Sequence, residues 1–452
     1  MYSQQELQDF CKKNLLDFDL DGIELDSITV NALLAIENEN DNIFFTGNAG
    51  TGKTTLLQII RKCSMKTIVV LAPTGIAAVN VGGQTIHSFF AFPPKPLTSN
   101  NIPKKISDMK YSILKNVDMF VIDEISMCRA DMIDAIDEYL RFHLESTKPF
   151  AGKQMVFVGD IDQLPPVLAT DAEKEMFSHR YNSHYFFSSD AYITSKFNYI
   201  KLKKIHRQND PVFIDLLNKM KDAAIRSTDI EFINNKCYKN TPGENAIVIC
   251  STNSIQQFIN KEKVDKLTGK EFTYNASIEG EFNVNNSMLD SVLRLKVGCK
   301  VMCVVNMPES SVYNGSIGTV VDLKEDSISV NFKGNTVVFE RRKHASIKYK
   351  YDKSTSQISE EETGSIHQFP LKLAYAITIH KSQGQTFENV IIDLGEGAFQ
   401  PGMTYVAFSR CKTLDGITLQ KPLTGKDFMY DKRIMEFNKK IDSESEKYKF
   451  EI

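Results

Sequence analysis

Hydrophobic residues fall into short continuous runs separated by amphipathic stretches. NIFFT (42–46), TIVVLA (67–72), VDMFVIDE (117–124), QMVFVGD (154–160) and YIKL (199–202) read as strands, because short unbroken apolar runs suit a sheet covered on both faces. After the third run, Met132, Ile133, Ile136 and Leu140 recur at three- and four-residue steps and predict a helix with one face in the core. This alternation predicts an open parallel sheet flanked by helices. A second set of such signals begins at AIVIC (246–250), breaks off, and resumes at LAYAITIH (373–380), NVIIDL (389–394) and GITLQ (416–420). Within the break, LRLKVGCKVMCVV, GSIGTVVDL, SISVNF and NTVVFE are short β segments, punctuated by NG (314–315) and KGN (333–335). They predict a small β-barrel inserted into a second α/β lobe. The polar stretch KSTSQISEEETGS (353–365) reads as the segment that carries the chain back. The predicted division is an N-terminal segment 1–27, a first lobe 28–195 with a short insertion at 89–104, a second lobe 196–290 and 363–452, and a barrel 291–362.

Length and charge then narrow the classes. At 452 residues the chain exceeds any single small module, and 54 basic against 57 acidic residues leave a net charge of −3. Nothing global marks a polyanion binder, so affinity for nucleic acid has to be local. Eight cysteines, at 11, 63, 128, 237, 250, 299, 303 and 411, lack the spacing that zinc requires. Buried, reduced thiols are expected. No apolar run is long enough to span a bilayer, and MYSQQELQDFCKKNLLDFDLDG has neither a secretory nor a transit pattern. A soluble protein without membrane partners is expected.

GNAGTGKTT (47–55), between a strand and the helical TTLLQIIRK, fits the phosphate-binding loop G-x-x-x-x-G-K-[ST]. Gly47, Gly50 and Gly52 let the backbone N–H groups of Asn48, Ala49 and Thr51 and their neighbours turn inward on phosphate. Lys53 supplies a cation, and Thr54, followed by Thr55, offers a hydroxyl to Mg²⁺. In VIDEIS (121–126), Asp123 and Glu124 end a buried strand, where carboxylates are costly without a metal or a partner. Alone, such a pair could equally be a helix cap. Beside the loop, Asp123 is expected to hold Mg²⁺ through water and Glu124 to activate the attacking water for hydrolysis of a nucleoside triphosphate.

Further segments follow in order: APTGIAA (72–78), GGQTIHSFF (82–90), GDIDQLPPV (159–167), IHRQ (205–208), LAYAITIHKSQGQT (373–386) and YVAFSR (405–410). With GNAGTGKT and DEISM, this set resembles the motifs of 5′-to-3′ DNA helicases of superfamily one, group B, and most closely the Pif (petite integration frequency) family, related to RecD-like and Dda-like helicases. The resemblance spans about 28 to 425 and implies two RecA-like lobes with an SH3-like insertion in the second. It implies ATP and Mg²⁺ as cofactors, Arg207 and Arg410 as arginine fingers, Gln163 as the γ-phosphate sensor, and Gly384 approaching the nucleotide by its backbone. A surface ion pair is the alternative for Arg410.

Single-stranded DNA is implied to run past Pro73, Thr74, Thr85 and His87 on the first lobe and Thr378, His380 and Lys381 on the second. For His87, a packed place among Ile86, Phe89 and Phe90 is the alternative. FFAFPPKPL (89–97) is either a wedge that splits the duplex or a loop packed on the sheet. RRKHASIKYKYDK (341–353) mixes Arg341, Arg342, Lys343, Lys348, Lys350 and Lys353 with Tyr349 and Tyr351, as a nucleic-acid face does. Family members carry an adenine-reading Gln before the first strand, where this chain has ITVNALLAIENENDN (28–42) with Asn31, which opens the site to other nucleotides.

The implied activity is that of a monomeric, ATP-dependent 5′-to-3′ helicase acting on single-stranded and forked DNA in replication, repair, recombination or telomere maintenance. G-quadruplexes and RNA–DNA hybrids are further candidate substrates. Rival readings are a RecD-like motor subunit of a nuclease complex and an ATP-gated DNA-binding switch. A chain that starts near its first motif and ends soon after its last is expected to be a bare motor core from bacterial or viral cytoplasm.

Overall fold

The computed structural model describes residues 27–445, apart from 39, 169, 239, 244–245, 283–288, 306, 311, 313–315, 333 and 353–356; the side chains of 27–31, 76, 79, 172 and 346–361 are also outside the description. The first lobe is one parallel sheet of β1 (Asn42–Gly47), β2 (Ile68–Ala72), β3 (Gln84–Thr85), β4 (Met119–Ile122), β5 (Gln154–Gly159) and β6 (Phe197–Leu202), in the order β3-β2-β4-β5-β1-β6. Alternation along its strands sends side chains to opposite faces. Ile43, Phe45, Val70, Val121, Val156 and Val158 pack beneath α1 (Ser27–Asn38) and α2 (Lys53–Cys63). Of α3–α8 (Gly75–Asn80, Ile86–Phe90, Asp108–Asn116, Ala130–His143, Asp171–Arg180 and Asp190–Thr194), α4, α5, α6 and α8 cover the other core, faced by Phe44, Leu71, Phe120, Ile122 and Phe157, while α3 and α7 join smaller clusters around Ala72 and Tyr181. The helix expected from the Met132–Leu140 spacing is α6.

The predicted boundary at 195 is corrected by pairing. β6 continues the first sheet beside β1, with Phe44 opposite Tyr199, so Phe197 and Tyr199 join the Phe44 core and Ile200 packs on the opposite face, rather than starting the second lobe. The aromatic run 89–92 is likewise core: Phe89, Phe90 and Phe92 are buried, and Phe90 stacks on Phe92 at 5.2 Å. Exposed positions of that insertion are Ala91, Pro94, Lys95, Ser99, Asn100 and Lys104.

The second lobe holds α9 (Pro211–Lys221), α10 (Ser227–Cys237), β7 (Ile247–Cys250) and α11 (Asn253–Asp265). The inserted β structure comprises β8–β17: Phe272–Asn275, Ser277–Gly280, Val292–Leu295, Lys300–Cys303, Ile317–Leu323, Ile328–Phe332, Asn335–Phe339, Arg342–Asp352, Gln357–Gln368 and Leu371–Leu373. β18 (Ala376–Thr378), β19 (Val390–Asp393), α12 (Met403–Ser409), β20 (Ile417–Leu419) and α13 (Lys432–Ser445) follow. The second parallel sheet runs β18-β7-β19-β20, and the insertion centres on an antiparallel sheet β14-β13-β12-β11-β17.

Two expectations change here. The run 373–380 is split: Leu371–Leu373 pairs with β11 in the barrel, and only Ala376–Thr378 joins the second sheet. Most of the polar return segment is strand, since Gln357–Gln368 pairs along the whole of β15. Its register sets Lys348 opposite Glu361 and Tyr349 opposite Glu360, and cross-strand pairing of this kind is not revealed by hydropathy.

α13 crosses back to the first lobe. Ile434, Phe437 and Ile441, spaced as one helix face, join the first lobe's core. Phe437 stacks on Phe187 at 4.2 Å, and Asn438 bonds Asp162 at 2.7 Å. Ala49 and Leu164 of the first lobe are in turn buried in the second lobe's cluster with Met403, Tyr405 and Val406. The seven described cysteines are free and buried, as expected, while Cys11 lies outside the described residues. Among the described residues no helix is long and apolar enough to cross a membrane.

Candidate active site between the lobes

The singled-out residues stand at or beyond the carboxyl ends of strands: Gly47 ends β1, Pro73 follows β2, Asp123 β4, Asp160 β5, Arg207 β6 and His380 β18. Open α/β sheets bind ligands at that edge. Between the lobes lies a cavity of about 600 Å³, a size that suits a nucleotide.

One wall is the phosphate loop. Gly50 adopts φ +83, and a Cβ there would lie 2.5 Å from Cβ of Arg207. Glycine is therefore what lets the segment after β6 close on the loop, where the His206 N–H donates to the Gly50 carbonyl at 2.8 Å. Lys53 donates to the carbonyls of Gly47 and Asn48 at 2.7 and 3.0 Å. Burial lowers its pKa, opposed chiefly by Asp160 and Glu124. Residues Ala49 to Thr55 all line the cavity, whereas Gly47 and Asn48 support it from behind. Asn48 is held by Asn218 and Lys221 of α9, each at 3.0 Å.

Glu124 lines the cavity and Asp123 sits beside it, 8% exposed. Burial, then the Glu124 charge, pushes the Asp123 carboxyl up to about 7, and burial also raises Glu124. Glu124 has φ +48, a left-handed backbone that costs a non-glycine residue about 1 kcal/mol or more. The buried Asp123 carboxylate and the hydroxyl of Thr54, a residue lining the cavity, are hard oxygen donors, and Mg²⁺ binds through few protein oxygens plus phosphates. The residues fit that ion.

The opposite wall carries two guanidiniums. Arg207 Nη1 donates to the Ser409 carbonyl at 3.0 Å. Arg410, 1% exposed, donates to the Val406 carbonyl at 3.0 Å, the Ser409 hydroxyl at 2.8 Å and the Ser382 carbonyl at 3.4 Å. This burial excludes the surface ion pair as the place of Arg410. Burial, followed by Arg410, pulls Arg207 down to about 9, and burial lowers Arg410 too. Two buried cations pressed together stabilise an anion placed between them. Gly384 and Gln163 complete this wall. The Gln163 amide donates to Asp160 at 3.0 Å and accepts from Gln383 at 3.4 Å.

The expected strand residues lie on adjoining loops. Thr74, Thr85 and Thr378 each accept a backbone N–H, from Ala77, Ser88 and Lys381, at 3.2, 3.2 and 3.3 Å. Each cap leaves a hydroxyl proton to donate, although Thr378 is 4% exposed. Pro73 and His87 are half-buried. His380 meets Gln400 at 3.0 Å, and Lys381 is exposed. The basic stretch fares differently. Arg341 bonds the Asn275 carbonyl at 2.8 Å and lies over the Phe369 ring, while Lys343 pairs with Glu362 at 2.5 Å. Those two cations serve the hairpin. The side chains of Lys348 to Tyr351, residue Lys353 and the Asn31 side chain fall outside the described residues.

Residues that motif reading passed over also converge here. Gln208, 1% exposed, donates to the Ser409 and Cys411 carbonyls, and Tyr405 reaches Ala49 and Asp160. Both stand inside segments already singled out, but neither residue type signals phosphate chemistry by itself.

A phosphate loop, an acidic pair and two guanidiniums enclosed by tandem parallel-sheet lobes define a RecA-like motor ATPase. The family model described as PIF1-like helicase matches residues 26–231, and a UvrD-like helicase C-terminal domain matches 373–414. The ATP-dependent DNA helicase Pif1 of Bdellovibrio bacteriovorus is 30% identical over 431 residues, 93% of each chain. The crystal structure of Bacteroides sp Pif1 in complex with ADP-AlF4 is 36% identical and superposes with a TM-score of 0.87, covering 93% of this chain and 98% of that one. Bacteroides Pif1 bound to ssDNA, 37% identical over the same shares, superposes at 0.68. This chain belongs to the PIF1-like family and is an ATP-dependent DNA helicase.

Proposed function

We propose that this helicase binds ATP with Mg²⁺ and moves 5′ to 3′ along single-stranded DNA as a monomer, opening forked duplexes, with G-quadruplexes and RNA–DNA hybrids as further substrates in replication, repair or recombination. The observation that carries this reading is Gln163, which bonds Asp160 of the first lobe and Gln383 of the second. It stands between the nucleotide cavity and the loop bearing His380 and Lys381. A change at the triphosphate therefore reaches the strand track through one amide.

In this reading Lys53 leaves its own loop's carbonyls for the β- and γ-phosphates. Asp123 and Thr54 hold Mg²⁺, which supplies charge neutralisation on the phosphate oxygens when bound. Glu124 takes the proton of the attacking water. Arg207 and Arg410 hold the charge that gathers on the γ-phosphoryl oxygens, and Gln163 turns toward that group. Pro73, Thr74, Thr85 and His87 grip one part of the strand and Thr378, His380 and Lys381 another, so closing and reopening the lobes shifts one grip relative to the other. The poorer match to the ssDNA-bound Bacteroides structure at equal coverage supports a domain rearrangement on strand binding. Duplexes with a 5′ or a 3′ tail test the polarity. Unwinding on 5′ tails is expected, and activity confined to 3′ tails would overturn it.

A further inference from the structure

Tyr405 stands five residues before Arg410 on α12, and no role above employs it. Its buried hydroxyl accepts the Ala49 N–H at 3.1 Å and donates to Oδ2 of Asp160 at 3.2 Å. Ala49 belongs to the phosphate loop, Asp160 follows β5, and Tyr405 belongs to the other lobe. One phenol thus closes a bridge across the gap. Asp160 is 2% exposed, and its other donors are the Gln163 amide on Oδ2 at 3.0 Å and the Asp162 N–H on Oδ1 at 3.2 Å. Tyr405 and Gln163 therefore share one carboxylate oxygen.

The rest of α12 explains why this bond matters for geometry. At its start, a Cβ on Gly402 would lie 2.7 Å from the carbonyl oxygens of Asp162 and Gln163, so the helix abuts the sensor segment directly. At its end stands Arg410. A hydroxyl between them, bonded on both sides in a site closed to water, sets where the helix lies relative to the loop. Burial holds the Tyr405 phenol well above its usual range, so it remains a donor. Hydrogen bonds are short-ranged, and sliding α12 by about 1 Å breaks both at once.

We propose that Tyr405 is a positioning residue for phosphoryl transfer: its hydroxyl registers α12 on Ala49 and Asp160, so that Arg410 and Gln163 reach the γ-phosphate together. It acts through those two groups, and the proposal rests on the ATPase reading above.

The test is Tyr405→Phe in the full chain, assayed for steady-state ATP hydrolysis at saturating single-stranded DNA. The ring remains, so the fold is kept. kcat should fall about tenfold, as expected for one buried hydrogen bond to a carboxylate, with KM for ATP changed less than about twofold and the melting temperature within a few degrees. Combined with Gln163→Ala, the loss should be smaller than the product of the two single losses, because both act on Asp160. An unchanged kcat, a loss carried by KM alone, or strictly multiplicative losses would each overturn the proposal. Lys53→Ala is measured alongside: if it kept turnover, the ATPase reading itself would fall, whereas a dead Lys53→Ala with a normal Tyr405→Phe removes only this inference.

Discussion

The ammonium of Lys53 lies 2.7 Å from the carbonyl oxygen of Gly47. The cation thus rests on the backbone of its own loop, with its charge also offset by Asp160 and Glu124. A triphosphate has to draw it away, so part of the attraction is spent on breaking two bonds. Lys53→Ala should lower DNA-stimulated ATP hydrolysis by about 10³-fold, the scale of losing a charged transition-state contact. Strand binding, measured by fluorescence anisotropy, should survive within a few fold, because the residues proposed to grip the strand lie on other loops.

Asp123 should make stability depend on pH. Its folded pKa of about 7 lies above the unfolded carboxylate value of about 3.9. Between those limits the folded protein holds a proton that the unfolded chain has released, so stability falls as pH rises through the window, and the full penalty is present above it. Asp162, pushed to about 7 by burial and Asp160, acts in the same direction. Without divalent ions and nucleotide, the melting temperature should increase from about pH 8 to pH 6. Asp123→Asn should show a smaller increase, melt higher at pH 8, and hydrolyse no ATP.

Arg207 and Arg410 penalise each other until an anion arrives. Arg410→Ala should cut kcat by about 10² to 10³ while changing KM for ATP much less, because the loop supplies most ground-state contacts. The same variant should also melt lower than the parent, because a buried side chain with three hydrogen bonds is lost. A drop confined to KM would show that the guanidinium serves binding alone.

The balanced charge bears on salt dependence. Lys343 is paired with Glu362, Arg341 is engaged by its own hairpin, and acidic residues stand opposite Lys348 and Tyr349. Few phosphates are then neutralised on binding. The log–log slope of single-strand affinity against salt should be about 2 to 4 in magnitude, and titrations between about 50 and 300 mM salt would measure it. A slope near 10 would show that the hairpin cations are released to DNA.

Phe437 binds the end of the chain to the first lobe. Phe437→Ala removes a 7%-exposed ring stacked on Phe187, a core truncation that costs about 3 kcal/mol. Thermal unfolding should begin several degrees lower, and Asn438 should lose its hold on Asp162.

Much of the catalytic wall was readable in order along the chain. The Gly-rich loop has a local signature that names Lys53, and it lends meaning to the acidic strand end Asp123–Glu124, whereas Arg207 and Arg410 were named only through the resemblance of their segments to helicase motifs. Elements whose stability comes from a distant partner had no such signature. β16 reads as a polar linker until it is paired with β15, and the boundary at 195 puts β6 in the second lobe until it is paired with β1.

By itself, the sequence determined the two-lobe α/β plan, the inserted barrel and the chemistry of the phosphate site, because periodicity and motif spacing are local properties. Only the tertiary structure decided that α13 returns to the first lobe, that Lys343 of the basic stretch pairs with Glu362, and that Tyr405 joins Ala49 to Asp160. The physical reason is sequence separation. Ala49 and Tyr405 stand 356 residues apart, and a hydrogen bond of that span is set by how two sheets pack, not by what either residue has for neighbours along the chain.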